Sequence, residues 1–226
     1  MPKSEKIFRI AWDGDGVLID SHQPVLNAAN IRLSHILNRE IQLTKSDLNS
    51  WDALYRLALN LIGDEKIASE IIQYWYTPEV LQLSPPNLAT IEVFNRCQKL
   101  SNTTQCIITT RPPECRQATQ DSLGLHLHNF NWLRDLHIRP KSSNLKGEDF
   151  KIHDLRRNDI TLMSEDNTDT ISRIQTELPQ CHLNYFSQPW NSTDQDLSRS
   201  KLRVAFDDTE AIYQRILEIR DNYLST

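Results

Sequence analysis

Five short apolar runs, each about the length of a strand, constrain this chain more than any other feature. They are 7–12 (IFRIAW), 105–108 (QCII), 136–138 (LHI), 160–163 (ITLM) and 181–186 (CHLNYF). None alternates strictly between apolar and polar, which is the pattern of strands covered on both faces. Helical periodicity fills the intervals between them. Residues 88–100 bring Leu88, Ile91, Val93, Phe94, Cys97 and Leu100 largely to one side, and a polar helix at 113–123 follows Pro112 and Pro113, residues suited to a first turn. The stretch 207–224 opens on Asp207, Asp208 and Thr209 before an apolar stripe of Ile212, Ile216, Ile219 and Tyr223, so it reads as a capped amphipathic helix. Strand and helix in alternation predict an α/β fold: a Rossmann-like parallel sheet flanked by helices.

The alternation breaks once. Between Ser21 and Asn87 no strand-like run occurs. Pro24 leads a helical pattern through Leu26, Ala29, Leu33, Ile36 and Leu37, and Thr44–Asp47 resembles a capping box ahead of Leu48, Trp51 and Leu54. A third helix is expected from Asp64 to Tyr74, before Leu83-Ser-Pro-Pro closes the segment. The expected domains are therefore a core made of 1–20 and 88–226, and a helical cap, 21–87, inserted after the first strand.

The first strand ends in an unusual way. IFRIAW runs straight into Asp13-Gly14-Asp15-Gly16, placing two carboxylates a few ångströms apart where each resists ionising beside the other. A turn would accept one aspartate readily; two at a strand's end suggest a cation or a reaction between them. In parallel α/β sheets, functional groups gather at the strands' carboxyl ends. Other strand ends carry matching chemistry. After the second comes Ile108-Thr109-Thr110-Arg111-Pro112, hydroxyls beside the free N–H groups of a following helix, which can cradle a phosphate. After the fourth comes Ser164-Glu165-Asp166-Asn167-Thr168-Asp169, a second acidic cluster able to complete an oxygen-lined cation site. Phe150-Lys151 precedes that strand, and a lysine there would neutralise a carboxylate and a bound phosphate.

Those four stretches, WDGDGVLID, CIITTRP, FK and LMSEDNTD, resemble in order and spacing the motifs of the haloacid dehalogenase-like superfamily. The resemblance implies a Mg2+-dependent phosphatase in which Asp13 is the nucleophile and Asp15 the general acid/base. It implies phosphate binding by Thr109, with Thr110 beside it, and by Lys151, and magnesium held by Asp13, Asp15 (through its main-chain carbonyl) and Asp166. Glu165 and Asp169 are expected near the metal or one layer behind it. Thr109 is preferred to Thr110 on the family pattern Thr-x-Arg-Pro, and Lys151 to Lys141 and Lys146 because an Arg-Pro pair precedes the working lysine in similar sequences. Glu165 departs from the more usual Asp or Gly. An aspartate two residues past the nucleophile suits phosphate esters and excludes a dehalogenase.

The substrate is where composition matters. A net charge of −5 and a pI near 5.8 argue against a protein that coats nucleic acid. No apolar stretch approaches the roughly 18–20 residues of a membrane span. Without a signal-peptide pattern, Cys97, Cys106, Cys115 and Cys181 read as reduced thiols of a cytoplasmic protein. The expected partner is a small-molecule phosphate ester. DGDGVL and Phe186-Ser-Gln-Pro-Trp-Asn191 are similar to stretches of cytosolic-type 5′(3′)-deoxyribonucleotidases, and the aromatics Trp51, Tyr55, Tyr74, Trp75 and Tyr76 would stack a base. At helical spacing such side chains are more often core. The Arg-Pro stretches instead resemble polynucleotide 3′-phosphatases. A sugar-phosphate phosphatase, and a non-catalytic phosphate- or metal-binding regulatory module, complete the alternatives.

Overall fold

The computed structural model describes residues 5–50, 52–191, 203–204 and 208–226; the expectation for Trp51 lies outside them. Strands β1 (Phe8–Asp13), β2 (Thr103–Thr109), β3 (Leu136–Ile138), β4 (Leu162–Glu165), β5 (His182–Phe186) and β6 (Arg203–Val204) form one sheet, in the order β3-β2-β1-β4-β5-β6. Every pairing is parallel. The chain runs outward from β1 through β2 to β3, then returns to β4 on the opposite side of β1. The crevice beside such a reversal is where α/β sheets bind ligands. Five of the strands match the expected runs. β6 was not foreseen, because two residues carry no periodicity.

Alternation along β1 decides which groups meet. Phe8, Ile10 and Trp12 face one layer, with Ile91, Phe94 and Ile212, which come from helices α5 (Leu88–Cys97) and α9 (Thr209–Ser225). Ala11 faces the other layer, with Phe150, Leu155 and Ile171, from α7 (Gly147–Arg157) and α8 (Thr168–Glu177). Asp13, two residues beyond Ala11, projects to that same α7/α8 side. Helix α7 suits its place: Glu148 and Asp149 occupy its first turn and Arg156 and Arg157 its last, each opposing the charge of the nearer helix end. Asp208 caps α9 by accepting from Ala211 N–H at 2.9 Å.

Between β1 and α5 the described chain is helical: α1 (His22–Leu37), α2 (Ala53–Ile62), α3 (Glu65–Ile72) and α4 (Pro78–Leu81). These helices enclose a core of their own that includes Val25, Leu26, Leu33, Leu54 and Ile71. Thr44 and Asp47 do form the capping box, but over a single 3-10 turn, Lys45–Asp47; α2 begins only after Asp52. The two crossings into this helical insert lie side by side. Asp20 N–H donates to Pro85 O at 2.9 Å, and Asn87 N–H to Leu18 O at 2.8 Å. Helix α6 (Arg116–Leu123) lies against the insert, with Leu81 packed on Cys115 and Ala118. Among the described residues no helix is long and apolar enough to cross a membrane. All four cysteines are buried and free, and burial pushes the Cys97 and Cys181 thiols up to about 12, away from reactivity.

Candidate active site

The carboxyl ends of β1, β2 and β4 lie abreast: Asp13 pairs in register with Ile108 and Trp12 with Ser164. The loops leaving these strands therefore converge, and the motifs separated in sequence share one cleft of about 130 Å³.

Asp13 is buried, with one oxygen accepting from Gly14 N–H at 2.8 Å. Its other oxygen lies 2.8 Å from Lys151 Nζ, which also reaches Glu165 Oε2 at 2.7 Å. α7 delivers that lysine because Asp13 faces the α7 layer. Lys141 pairs with Glu114 on the surface, 2.7 Å away, and Lys146 stands before the first turn of α7. The structure therefore brings Lys151, of the three candidates, to Asp13. Burial lowers the Lys151 ammonium, but Asp13 and Glu165 outweigh it and hold the group firmly charged.

Glu165 is occupied on both oxygens. Oε1 accepts from the N–H groups of Asp166 and Asn167, both at 3.1 Å, and Oε2 from Lys151. It orients the lysine rather than offering an open ligand. Asp166 differs: its Oδ2 is buried without any hydrogen-bond partner. Oxygens of Asp13, Glu165 and Asp166 all lie within 4.8 Å of one another. Burial, then the charge of Glu165, pushes the carboxyls of both Asp13 and Asp166 well above the usual range. Three carboxylates against one lysine leave two negative charges unbalanced in a water-poor space. That donor set, hard oxygens with an orphaned one among them, fits a divalent cation such as magnesium. Asp13 and Asp166 would hold it.

Gly16 is fitted to this arrangement. Its φ of +75° lies in the region glycine tolerates, and a Cβ there would sit 2.0 Å from Asp166 Oδ2. Any other residue would push the carboxylate out of place.

Asp15 points elsewhere. Arg111 clamps it with two hydrogen bonds, Nε to Oδ2 at 2.8 Å and Nη2 to Oδ1 at 2.6 Å, and itself donates to Thr119 Oγ1 at 2.7 Å. Burial raises the Asp15 carboxyl, but the Arg111 charge and hydrogen bonds outweigh it and hold Asp15 below the usual range. Arg111 lies within CIITTRP, where nothing local marks it; only the fold brings it to Asp15. Thr109 ends β2 almost wholly buried, its Oγ1 accepting from Arg111 N–H at 3.3 Å. Thr110, rather than the Thr109 that the Thr-x-Arg-Pro pattern favours, lines the cleft. Asp169 is exposed on the first turn of α8 and lies outside the acidic cluster. Asn167 caps that helix by accepting from Thr170 N–H, and the helical turn that follows carries Asp169 to the solvent side.

The stretch Phe186–Asn191 also has a place here. Asn191, buried, donates to the carbonyls of Asp166 and Phe186, both at 2.9 Å, and accepts from Gln188 N–H at 2.8 Å. Gln188 Nε2 donates to Gly16 O at 2.7 Å. The loop therefore ties the β1 turn to the β4 loop, below the cleft.

No protein-family model matches the sequence, and no curated protein matches it. Solved structures do. A haloacid dehalogenase-like family hydrolase from Streptococcus pneumoniae superposes with a TM-score of 0.62 at 15% identity, over 92% of this chain and 98% of its own. A predicted phosphoglycolate phosphatase from Haemophilus somnus gives 0.62 at 16% identity, over 91% and 97%. A predicted phosphatase from Clostridium acetobutylicum gives 0.62 at 14%, over 94% and 99%. The fold is that of the haloacid dehalogenase-like hydrolases, as the sequence motifs imply.

Proposed function

We propose that the protein is a magnesium-dependent phosphatase that hydrolyses small phosphate monoesters through an aspartyl-phosphate on Asp13. One observation carries this reading: Asp13, held by Lys151, clusters within 4.8 Å of Asp166, a buried carboxylate with an orphaned oxygen, and Asp15 stands two residues away. In the first half-reaction an Asp13 carboxylate oxygen attacks phosphorus in line, the bond to the ester oxygen breaks, and Asp15 gives that oxygen a proton. In the second, Asp15 takes a proton from the water that attacks phosphorus, and the bond to Asp13 breaks. Lys151 neutralises charge shared between Asp13 and the phosphoryl group, while Thr110 offers a hydroxyl in the cleft. Bound magnesium supplies the charge that lets an anionic nucleophile approach an anionic ester. Arg111 keeps Asp15 ionised at rest, so the proton that Asp15 gives the leaving oxygen is first taken up from the monoanionic ester as it binds; ionised again by that transfer, Asp15 then takes the proton of the attacking water.

Residues 21–87 act in this reading as a cap over the cleft formed by 1–20 and 88–226. Trp75 and Tyr76, from the turn after α3, line the cleft beside Asp13 and Asp15. Tyr55 and Tyr74 pack against the insert's own core. A nucleoside monophosphate stacked on Trp75 is accordingly the substrate class proposed first, followed by sugar phosphates. The acidic chain and the narrow cleft speak against polynucleotide ends.

Para-nitrophenyl phosphate, assayed with magnesium and with chelator, tests the reaction; hydrolysis that disappears with chelator is expected, and none under either condition would overturn it. A panel of nucleoside monophosphates, sugar phosphates and 3′-phosphorylated oligonucleotides then tests the class. Trp75→Ala should raise KM for a nucleotide at least tenfold, the scale of base–aromatic stacking at roughly 1–3 kcal/mol, while the minimal aryl ester changes far less. Good turnover of sugar phosphates with poor turnover of nucleotides would remove the nucleotide reading alone.

A further inference from the structure

The cleft contains a cation that the reaction above does not use. Arg139 follows β3, whose register with β2 sets Ile138 against Thr109, and its N–H donates to Thr109 O at 3.3 Å. That places it on the same carboxyl edge of the sheet as the phosphate-binding threonines, one strand further out. Its side chain lines the cleft together with Asp13, Asp15, Lys151 and the insert's Tyr76. Pro140 follows and restricts the Arg139 backbone to extended conformations, which fixes where the side chain starts.

The other cations of the cleft are committed. Lys151 is shared by Asp13 and Glu165, and Arg111 is clamped on Asp15. Arg139 has no ion pair or side-chain hydrogen bond to any described residue, although it is half-buried. Glu148 lines the same cleft without pairing with it. A guanidinium partly withdrawn from water and left without an anion is a costly arrangement unless a ligand completes it. Tyr76, from the insert, and Arg139, from the core, line this one cleft; burial raises the tyrosine hydroxyl and the nearby Arg139 charge draws it down. Arg139 therefore faces the junction of core and insert, where the leaving group of an ester on Asp13 must lie.

We propose that Arg139 is a specificity-determining residue that binds a second oxyanion carried on the leaving group, so that within the substrate classes named above the esters bearing a further carboxylate or phosphate are preferred over those without one. This rests on the phosphatase reading for the identity of the scissile group. A guanidinium recognises either oxyanion through two parallel N–H···O bonds, so matched substrates must separate the two sources.

Two pairs do so: 3-phosphoglycerate against glycerol 3-phosphate, and adenosine 3′,5′-bisphosphate against adenosine 5′-monophosphate. Within each pair the members differ chiefly in the second anion. The expected result is a preference in kcat/KM of at least about tenfold for the anionic member of one pair, the scale of one charge-assisted hydrogen bond. The pair that shows it names the anion. Arg139→Gln should bring that ratio close to one, and Arg139→Lys, which keeps the charge without the fork, should retain part of it. No preference in either pair overturns the proposal. So does an Arg139→Gln loss equal on both members and on para-nitrophenyl phosphate, which would place Arg139 on the scissile phosphoryl group. Calorimetric binding of the same pairs to Asp13→Asn protein gives a readout without turnover. A binding preference that Arg139→Gln abolishes, in a protein whose wild type hydrolyses none of these esters, would keep the oxyanion site and reject the phosphatase. Equal binding of the members of both pairs would reject the site.

Discussion

Arg111 and Asp15, 96 residues apart in the chain, meet in a two-point ion pair of 2.8 and 2.6 Å, with the guanidinium 1% exposed and the carboxylate side chain 21% exposed. The pair joins the end of β1 to the loop after β2, and so fixes the proposed acid/base relative to Thr109 and Thr110. A depressed carboxyl contributes stability above its unfolded value and loses it as pH falls through its native value.

Arg111→Gln should therefore destabilise the protein at pH 7 by about 3 kcal/mol, the low end for a broken buried pair, because Asp15 keeps some contact with water. The penalty should shrink as pH falls below the usual carboxylate value of about 3.9. Denaturant unfolding of both proteins at pH 7 and near pH 3 checks this. A penalty that is the same at both pH values would mean that the arginine acts by packing alone.

Removing metal should destabilise the protein, and more so at higher pH. Asp13 and Asp166 have raised carboxyls, so without a cation the native state binds more protons than the unfolded chain from about pH 4 upward. Stability of the chelated protein should then fall as pH rises. Magnesium at about a hundred times its Kd at pH 7 should restore about 2.7 kcal/mol, and that same concentration should restore more at pH 8 than at pH 5. Asp13→Asn, which deletes one of the crowded charges, should raise Tm in chelator. Thermal unfolding with chelator and with magnesium across that range checks all three, and a magnesium shift that shrinks toward pH 8 would contradict them.

Asn191→Ala should weaken metal binding at a distance from the ligands. It would leave the carbonyls of Asp166 and Phe186 and the N–H of Gln188 without their buried partner, costing about 1–3 kcal/mol. Because one of those carbonyls belongs to Asp166, magnesium affinity should drop by roughly 10- to 100-fold, as when outer hydrogen bonds to ligands are lost. Calorimetric titration with magnesium is the check. A loss of stability with unchanged affinity would leave Asn191 a structural residue only.

What could be read in advance follows from how local each signal is. Asp13, Gly14, Asp15 and Gly16 form a continuous stretch at a strand's end, so their chemistry was legible without the fold. Lys151 was favoured over Lys141 and Lys146 by the Arg-Pro pattern alone; the α7 layer facing Asp13 is the physical reason that it, and not Lys141, reaches that carboxylate. The clamp of Arg111 on Asp15, the open charge of Arg139 and the Asn191 latch are tertiary relations, and no periodicity or spacing encodes them. Asp169 shares the stretch LMSEDNTD with Asp166 and was expected near the metal or one layer behind it, but the helix that starts at Thr168 carries it outward. The aromatics of the insert did not divide cleanly: Tyr76 lines the cleft, Tyr55 and Tyr74 pack against the insert's core, and Trp75 does both.

The central claim is that Asp13 becomes phosphorylated during turnover. Acid quench of the enzyme during hydrolysis of a radiolabelled phosphate ester in magnesium, followed by borohydride reduction and peptide mass spectrometry, tests it directly. The account predicts label in the acid-stable protein fraction and reductive conversion of Asp13 to homoserine, with neither found in Asp13→Asn protein. Steady turnover with no phosphorylated carboxylate, or with the modified residue elsewhere than Asp13, would contradict it.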